Sequence, residues 1–259
     1  MWAAARRFEA WFVIPAAIGL FGWSMLALDA GGLTPPAFCA SGTSWLELSS
    51  LNHALAFNSP AKLAADWALM VAAMMSPLLF TPLRHACDRS FARRRTRATL
   101  LFVSGYAAAW MMAGILLQAI ALTALWAMPA PAIGLGLVAA AAMGWQVSPA
   151  KQWCLNRCHR RPRLAAFGVA ADVDAATFGL TNGAACVGTC WALMLLMLLM
   201  GSGHFAAMIA VTLFVFVERL ENPAPLAWRL RGAGKALRIV TAQARMRLAP
   251  RRSFEEALP

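Results

Sequence analysis

Two long stretches of the chain carry no charged side chain, and they limit the possible folds more than any other feature. Residues 98–150 and residues 175–217 contain no Asp, Glu, Lys or Arg. A helix needs about 20 apolar residues to cross the hydrocarbon core of a bilayer, so each stretch can hold two spans. Backbone groups in lipid must bond within their own segment, and no alternating polar pattern suggests a membrane barrel. We therefore expect an all-α, polytopic integral membrane bundle.

Six spans account for the apolar segments of residues 1–221, and we treat these residues as one transmembrane domain. A basic tail follows it, over residues 222–259. Pro129 and Pro131 separate the third span from the fourth, because proline interrupts a helix. We expect residues 164–182 to form an interfacial or re-entrant helix before the fifth span. The six spans are expected near residues 11–28, 63–83, 99–126, 133–147, 183–200 and 205–218.

The positions of the basic residues predict how these spans are oriented. Every Lys and Arg except Lys62 lies before span one, between spans two and three, between spans four and five, or after span six. Those segments share one side of a six-span protein, and the positive-inside rule makes that side cytoplasmic. We expect a multi-pass protein of the bacterial inner membrane with both termini in the cytoplasm. The net charge of +12 then reflects topology and contact with the lipid bilayer, not nucleic-acid binding.

Two cysteine pairs of identical spacing are the best candidates for chemistry. Cys154 and Cys158 follow the fourth span, and Cys186 and Cys190 enter the fifth. Thiols four residues apart share one side of a helix, and the expected topology places both pairs near the cytoplasmic face. Buried cysteines also serve as small apolar fillers, but two matched pairs at one face favour a soft-metal site with four sulfurs. Two further cysteines are isolated and receive no role: Cys39 and Cys87.

Methionines could supply additional soft ligands. Thioethers suit copper(I), although methionine more often fills irregular gaps between helices, and that is the interpretation we favour for most of them. Three are retained as weaker candidate ligands: Met74, Met75 and Met194. The first two precede Pro77, and a proline inside a span loosens the backbone and often marks a cavity. Gly179 and Gly183 form a small-residue face for close helix packing, which would let spans four and five lie side by side.

Three sequence blocks resemble a known family. They are WALMVAAMMSP (67–77), WQVSPAKQWCLNRC (145–158) and GLTNGAACVGTCWALM (179–194). They are similar to W-x-x-M-x-x-A-M-M-x-P, S-P-x-K-x-x-C-L-x-x-C and G-x-x-x-G-x-x-C-x-G-C-C-W-x-L-M of the bacterial predicted metal-binding integral membrane proteins (domain of unknown function 2182). The resemblance implies metal binding. Thr189 stands where that family often has another cysteine, which leaves Cys186 and Cys190 as the thiols of this block.

The ligand types favour a function in metal handling. Their softness points to copper(I) first and zinc second, for transport, sensing, or delivery between the membrane and a metal-donor or acceptor protein. One alternative is a thiol-redox protein that exchanges electrons with a quinone or protein partner. Another is an assembly subunit held together by a structural zinc. No Walker motif, nucleophile elbow, HExxH or dinucleotide fingerprint is present, so we expect no catalytic residues and favour a non-enzymatic role.

Overall fold

The computed structural model describes residues 2–30, 60–127, 131–200, 203–229, 234, 238 and 241–243, and all regular structure in these residues is helical. Cys39 and most of the basic tail lie outside them. Two short 3₁₀ turns lie between α-helices, at Ser76–Leu79 and Ala92–Arg94. The described α-helices, in chain order, are α1 (Trp2–Ala30), α2 (Pro60–Met75), α3 (Phe80–Asp88), α4 (Arg95–Ala127), α5 (Pro131–Val147), α6 (Pro149–Cys158), α7 (Gly168–Leu199) and α8 (His204–Leu220).

Three helical segments within the described residues are long and apolar enough to cross a membrane: Pro60–Asp88, Ala92–Ala124 and Gly168–Leu199. A fourth results if Ile133–Val147 and Pro149–Cys158, which meet at a bend of 63°, count as one broken span. The remaining two expected spans correspond to shorter helices, the apolar segment Pro15–Leu28 of α1 and the 17 residues of α8. The all-helical fold is confirmed, while the count of six spans and the side of the termini remain predictions.

The fifth expected span begins much earlier than the sequence analysis placed it. We expected a separate interfacial helix over residues 164–182, and this is wrong because α7 runs without a break from Gly168 to Leu199. No proline interrupts this segment, and its glycines are packed against another helix, where a missing side chain favours close contact instead of helix termination. Cys186 consequently lies near the middle of α7 and not in its first turns.

Close packing of α4 against α7 forms the largest helix interface among the described residues. A Cβ atom added to Gly179 would overlap the backbone carbonyl of Phe102, and one added to Gly183 would lie 2.9 Å from the Tyr106 carbonyl oxygen. Gly105 of α4 faces the Ala176 carbonyl in the same way. The small-residue face of α7 therefore packs on the third expected span, α4, and not on the fourth as the sequence analysis suggested.

Replacing Gly179 by alanine is expected to destabilise the protein by about 1–3 kcal/mol, because the obstacle is a rigid backbone carbonyl and the two helices must separate. Gly136 of α5 is the matched control, since a Cβ atom there meets nothing within 4 Å. Gly136→Ala should be neutral or stabilising by up to about 1 kcal/mol. Unfolding midpoints in mixed detergent micelles would measure both variants, and equal midpoints would contradict the packing described here.

A hydrogen bond holds α2 against α4. Trp67 Nε1 donates to the Trp110 carbonyl oxygen at 2.9 Å, and the indole lies against Gly114, where any side chain would collide with it. At its far end α2 stops at Met75, because Pro77 lies in the 3₁₀ turn that follows and cannot donate a backbone hydrogen bond. Met75, the last residue of α2, faces α7.

Candidate metal-binding site

Sulfur-containing side chains occupy four successive turns of α7. Cys186, Cys190, Met194 and Met197 are spaced by four, four and three residues, which places them on one face of the helix. Each is at most 1% exposed. At 1.5 Å per residue, the first and last lie about 16 Å apart along the helix axis. We call this row the sulfur stripe of α7.

Cys186 has polar and sulfur neighbours from two other helices. The Tyr106 hydroxyl of α4 donates a hydrogen bond to Cys186 Sγ at 3.2 Å, and Met75 Sδ of α2 lies 4.0 Å from the same sulfur. The Cys190 thiol is adjacent, and it donates to the Cys186 carbonyl oxygen at 3.2 Å. Two thiols and a thioether are therefore gathered in a buried pocket between α2, α4 and α7.

The second cysteine pair approaches α7 from the short helix α6. Ser148 caps this helix by accepting a hydrogen bond from the Lys151 amide at 3.1 Å. Cys154 packs against Gly188 so closely that a Cβ atom at Gly188 would collide with Cys154 Sγ. Cys158 lies at the end of α6, where its thiol interacts with Cys186 and Cys154. The glycine thus provides the space that lets α6 dock beside the sulfur stripe.

Arg219 is a candidate site residue that sequence reasoning missed. It is one of the basic residues that follow the sixth expected span, and we expected it to serve only topology and contact with lipid. In the structure its guanidinium interacts with Cys158 and Cys186. Its Nε atom is buried and has no hydrogen-bond partner within the described ranges of the chain. A cation at the end of an apolar segment is costly to bury and is often functional, which is the signal that could have identified it.

A buried ion pair holds α6 against α8 next to the thiols. Lys151 Nζ lies 2.7 Å from Glu218 Oε2, and the two side chains are 0% and 1% exposed. Lys151 also donates to Gln146 and lies 5.3 Å from the centre of the Phe214 ring. Because Glu218 precedes Arg219 in the chain, this pair positions the guanidinium beside the cysteines.

A partly open cavity of about 130 Å³ adjoins the second cysteine pair. Cys158 and Arg219 line it together with Pro77 and the Phe178 ring. Arg160 and Arg161 also contribute to its wall, which makes the opening strongly basic. The cavity offers a route by which a small or anionic ligand could approach Cys158.

The candidate ligands differ in how close the structure places them to one another. Cys190 lies one turn from Cys186, whose sulfur is 4.0 Å from Met75 Sδ. Cys158 is near enough to interact electrostatically with Cys186, whereas Cys154 packs against Gly188. In the described part of the chain, no three His, Cys, Asp or Glu side chains are arranged to hold a metal ion. The four-cysteine ligand set therefore remains a prediction.

The other two of the three weaker methionine candidates differ in position. Met194 continues the sulfur stripe one turn beyond Cys190, and Met74 is buried in the same hydrophobic cluster as the stripe. Cys87, to which no role was given, lies on α3 with its thiol 3.4 Å from Thr99 Oγ1.

Comparison with known proteins assigns the chain to a family. No curated protein and no solved structure matches it significantly. A family model described as PpoB2, copper chaperone, matches residues 64–241, which include both cysteine pairs, Met75, Tyr106 and Arg219. That description agrees with the metal-related resemblance noted in the sequence, and it names copper and not zinc. Because the match covers more than half of its length, the chain belongs to the copper chaperone family PpoB2.

Proposed function

We propose that the protein is an integral membrane copper(I) chaperone that holds the ion between Cys186 and Cys190, with Met75 as an additional ligand. Thiolates and thioethers are the ligands that copper(I) prefers. The family is described as a copper chaperone, and the region that matches its model includes Met75, Cys186 and Cys190. Tyr106, which already donates to Cys186 Sγ, would donate a stronger, charge-assisted hydrogen bond to the thiolate.

The observation that carries this proposal is the charge of Arg219 beside the thiols. Copper(I) bound by two thiolates has a net charge of minus one, and a buried anion is unfavourable unless a counter-charge lies close by. The Arg219 guanidinium supplies one positive charge next to Cys186 and Cys158. Zinc bound by two thiolates would be neutral and would leave that charge uncompensated. The charge balance therefore favours copper(I).

Cys154 and Cys158 are proposed to exchange copper with a partner. Cys158 lines the basic cavity and also interacts with Cys186, so it lies between the outside and the buried thiols. Copper(I) accepts ligands one at a time, which would let the ion pass from a donor to Cys158 and then to Cys186. The basic wall formed by Arg160 and Arg161 suits a donor or acceptor protein with an acidic surface.

The membrane setting completes the proposal. Large apolar side chains such as Leu100, Ile115 and Leu116 are exposed on α4, as expected for a surface that faces lipid. We place the protein in the bacterial inner membrane with six spans and cytoplasmic termini, on the strength of the basic-residue distribution. In that orientation the cavity beside Cys158 opens towards the cytoplasm, and copper is exchanged there.

The test combines metal identity with the charge of residue 219. Elemental mass spectrometry of protein purified in mild detergent under reducing conditions should find copper in preference to zinc. Arg219→Gln should weaken copper(I) binding by about 10–100-fold, as does the loss of other groups that support metal ligands. Arg219→Lys keeps the positive charge and should lose less copper(I) affinity. Competition with a chromophoric copper(I) chelator measures these affinities.

Three results would contradict the proposal. Bound zinc whose loss changes only stability would support a structural site instead. A titratable disulfide without metal would support the thiol-redox alternative. Equal copper affinity in the wild type and Arg219→Gln would remove the charge argument.

A further inference from the structure

His204, the first residue of α8, has one ring nitrogen that no residue in the described part of the chain contacts by a hydrogen bond. Its side chain is buried, at 6% exposure, and Nδ1 lies 3.0 Å from the Met197 carbonyl oxygen. A carbonyl can only accept a hydrogen bond, so Nδ1 must carry the hydrogen and Nε2 must present a lone pair. Nε2 is buried and has no hydrogen-bond partner among the residues that the structure describes. A buried acceptor without a partner is unfavourable, which points to a ligand.

Two buried methionines are neighbours of His204 along the chain or through a backbone contact. Met197, whose carbonyl holds the ring, is the last member of the sulfur stripe of α7. Met208 lies one turn after His204 on the same face of α8. Both methionines are 1% exposed and belong to the buried cluster that also contains Cys186 and Cys190. Gly203, with a φ of 78°, makes the left-handed turn that begins α8 and sets the position of His204.

We propose that His204 Nε2, Met197 and Met208 form a second copper(I) site at the opposite end of the sulfur stripe from Cys186. A histidine that ligates a metal typically donates its other ring N–H to a backbone carbonyl, and His204 already does so. Imidazole and thioether ligands are neutral and soft enough for copper(I). This site extends the proposed function from one binding position to two, on separate ligands.

The two sites differ in how tightly they should hold the ion. The site at His204 has no thiolate, so it binds copper(I) more weakly than the cysteine site and exchanges it more readily. Met194 lies between the sites on the stripe, one turn from Cys190 and one turn from Met197. Copper would enter or leave at His204 and be retained at Cys186.

The experiment removes the cysteine site first, so that the two proposals are tested separately. Full-length protein in which all six cysteines are replaced by serine is titrated in detergent with silver(I), a stable substitute for copper(I). We expect this variant to keep a weaker equivalent of metal, with nitrogen and sulfur neighbours in X-ray absorption spectra. Adding His204→Asn should abolish it, because the asparagine amide can still donate to the Met197 carbonyl but has no counterpart of Nε2. His85→Asn is the matched control and should change nothing.

Each outcome supports or overturns the second site. Metal binding that persists at full strength after His204→Asn, or a cysteine-free variant that binds no metal, overturns it and leaves the cysteine site standing. If His204→Asn removes the metal from otherwise wild-type protein while the cysteine replacements do not, the cysteine site is refuted instead. If His204→Asn does not fold, Met208→Leu conserves the volume and should still weaken the residual binding at least tenfold.

Discussion

Cys186→Ser is expected to abolish most copper(I) binding, with an affinity loss of at least about 100-fold. Removing supporting groups around a metal typically costs 10–100-fold, and Cys186 is proposed as a direct ligand. Its sulfur is also the point where Tyr106 and Met75 converge, so no other thiol can take its place without moving a helix. Competition with a chromophoric chelator under anaerobic, reducing conditions measures the loss.

The matched control for this substitution is Cys87→Ser. Cys87 is also buried, but its thiol contacts Thr99 and lies on α3, away from the sulfur stripe. Copper affinity should be unchanged in this variant and in Cys39→Ser. Cys154→Ser should also lose binding if the second pair contributes, as the sequence predicts. Wild-type affinity in both the Cys154 and the Cys186 variants would refute binding by the two pairs.

Lys151→Ala is expected to destabilise the protein by about 3–5 kcal/mol, the usual cost of leaving one partner of a buried ion pair without compensation. The Glu218 carboxylate is 1% exposed and would face an apolar surrounding. Since the pair holds α8 against α6, copper affinity should fall as well, because Arg219 follows Glu218 directly. The unfolding midpoint in mixed detergent micelles measures the stability change.

An exposed ion pair provides the comparison. Arg84 and Asp88 lie 3.6 Å apart with both side chains 64% exposed, and such pairs contribute about 0–1 kcal/mol. Arg84→Ala should therefore shift the midpoint far less than Lys151→Ala. The double variant Lys151→Met/Glu218→Leu should recover much of the lost stability, because apolar replacements remove both buried charges. A small effect of Lys151→Ala would mean that water reaches this pair.

Several features of the fold could be predicted from local sequence. Helices in the charge-free stretches follow from the need to satisfy backbone groups in an apolar medium. The break at Pro77 follows from proline chemistry. The continuity of α7 could not be predicted, because each glycine lowers helix stability in water by about 1 kcal/mol, and only the packing of Gly179 and Gly183 against α4 offsets this.

The candidate site was predictable to a similar extent. The spacing of Cys186 and Cys190 was enough to place both thiols on one helix face. The neighbours that make those thiols chemically distinct come from other helices: Tyr106 and Met75 contact Cys186, and Arg219 lies beside it. No local pattern links these positions, since they are separated by dozens of residues.

The sequence by itself therefore determined the all-helical architecture, the apolar segments and the row of sulfurs along α7, because each depends on periodicity within one segment. Only the tertiary structure decided which charges are buried together. It paired Lys151 with Glu218 and set Arg219 against the cysteines, and among the described residues it left one ring nitrogen of His204 without a partner. The reason is physical: whether a charge or a lone pair is satisfied depends on which helices pack around it, and that packing is set by contacts distant in sequence.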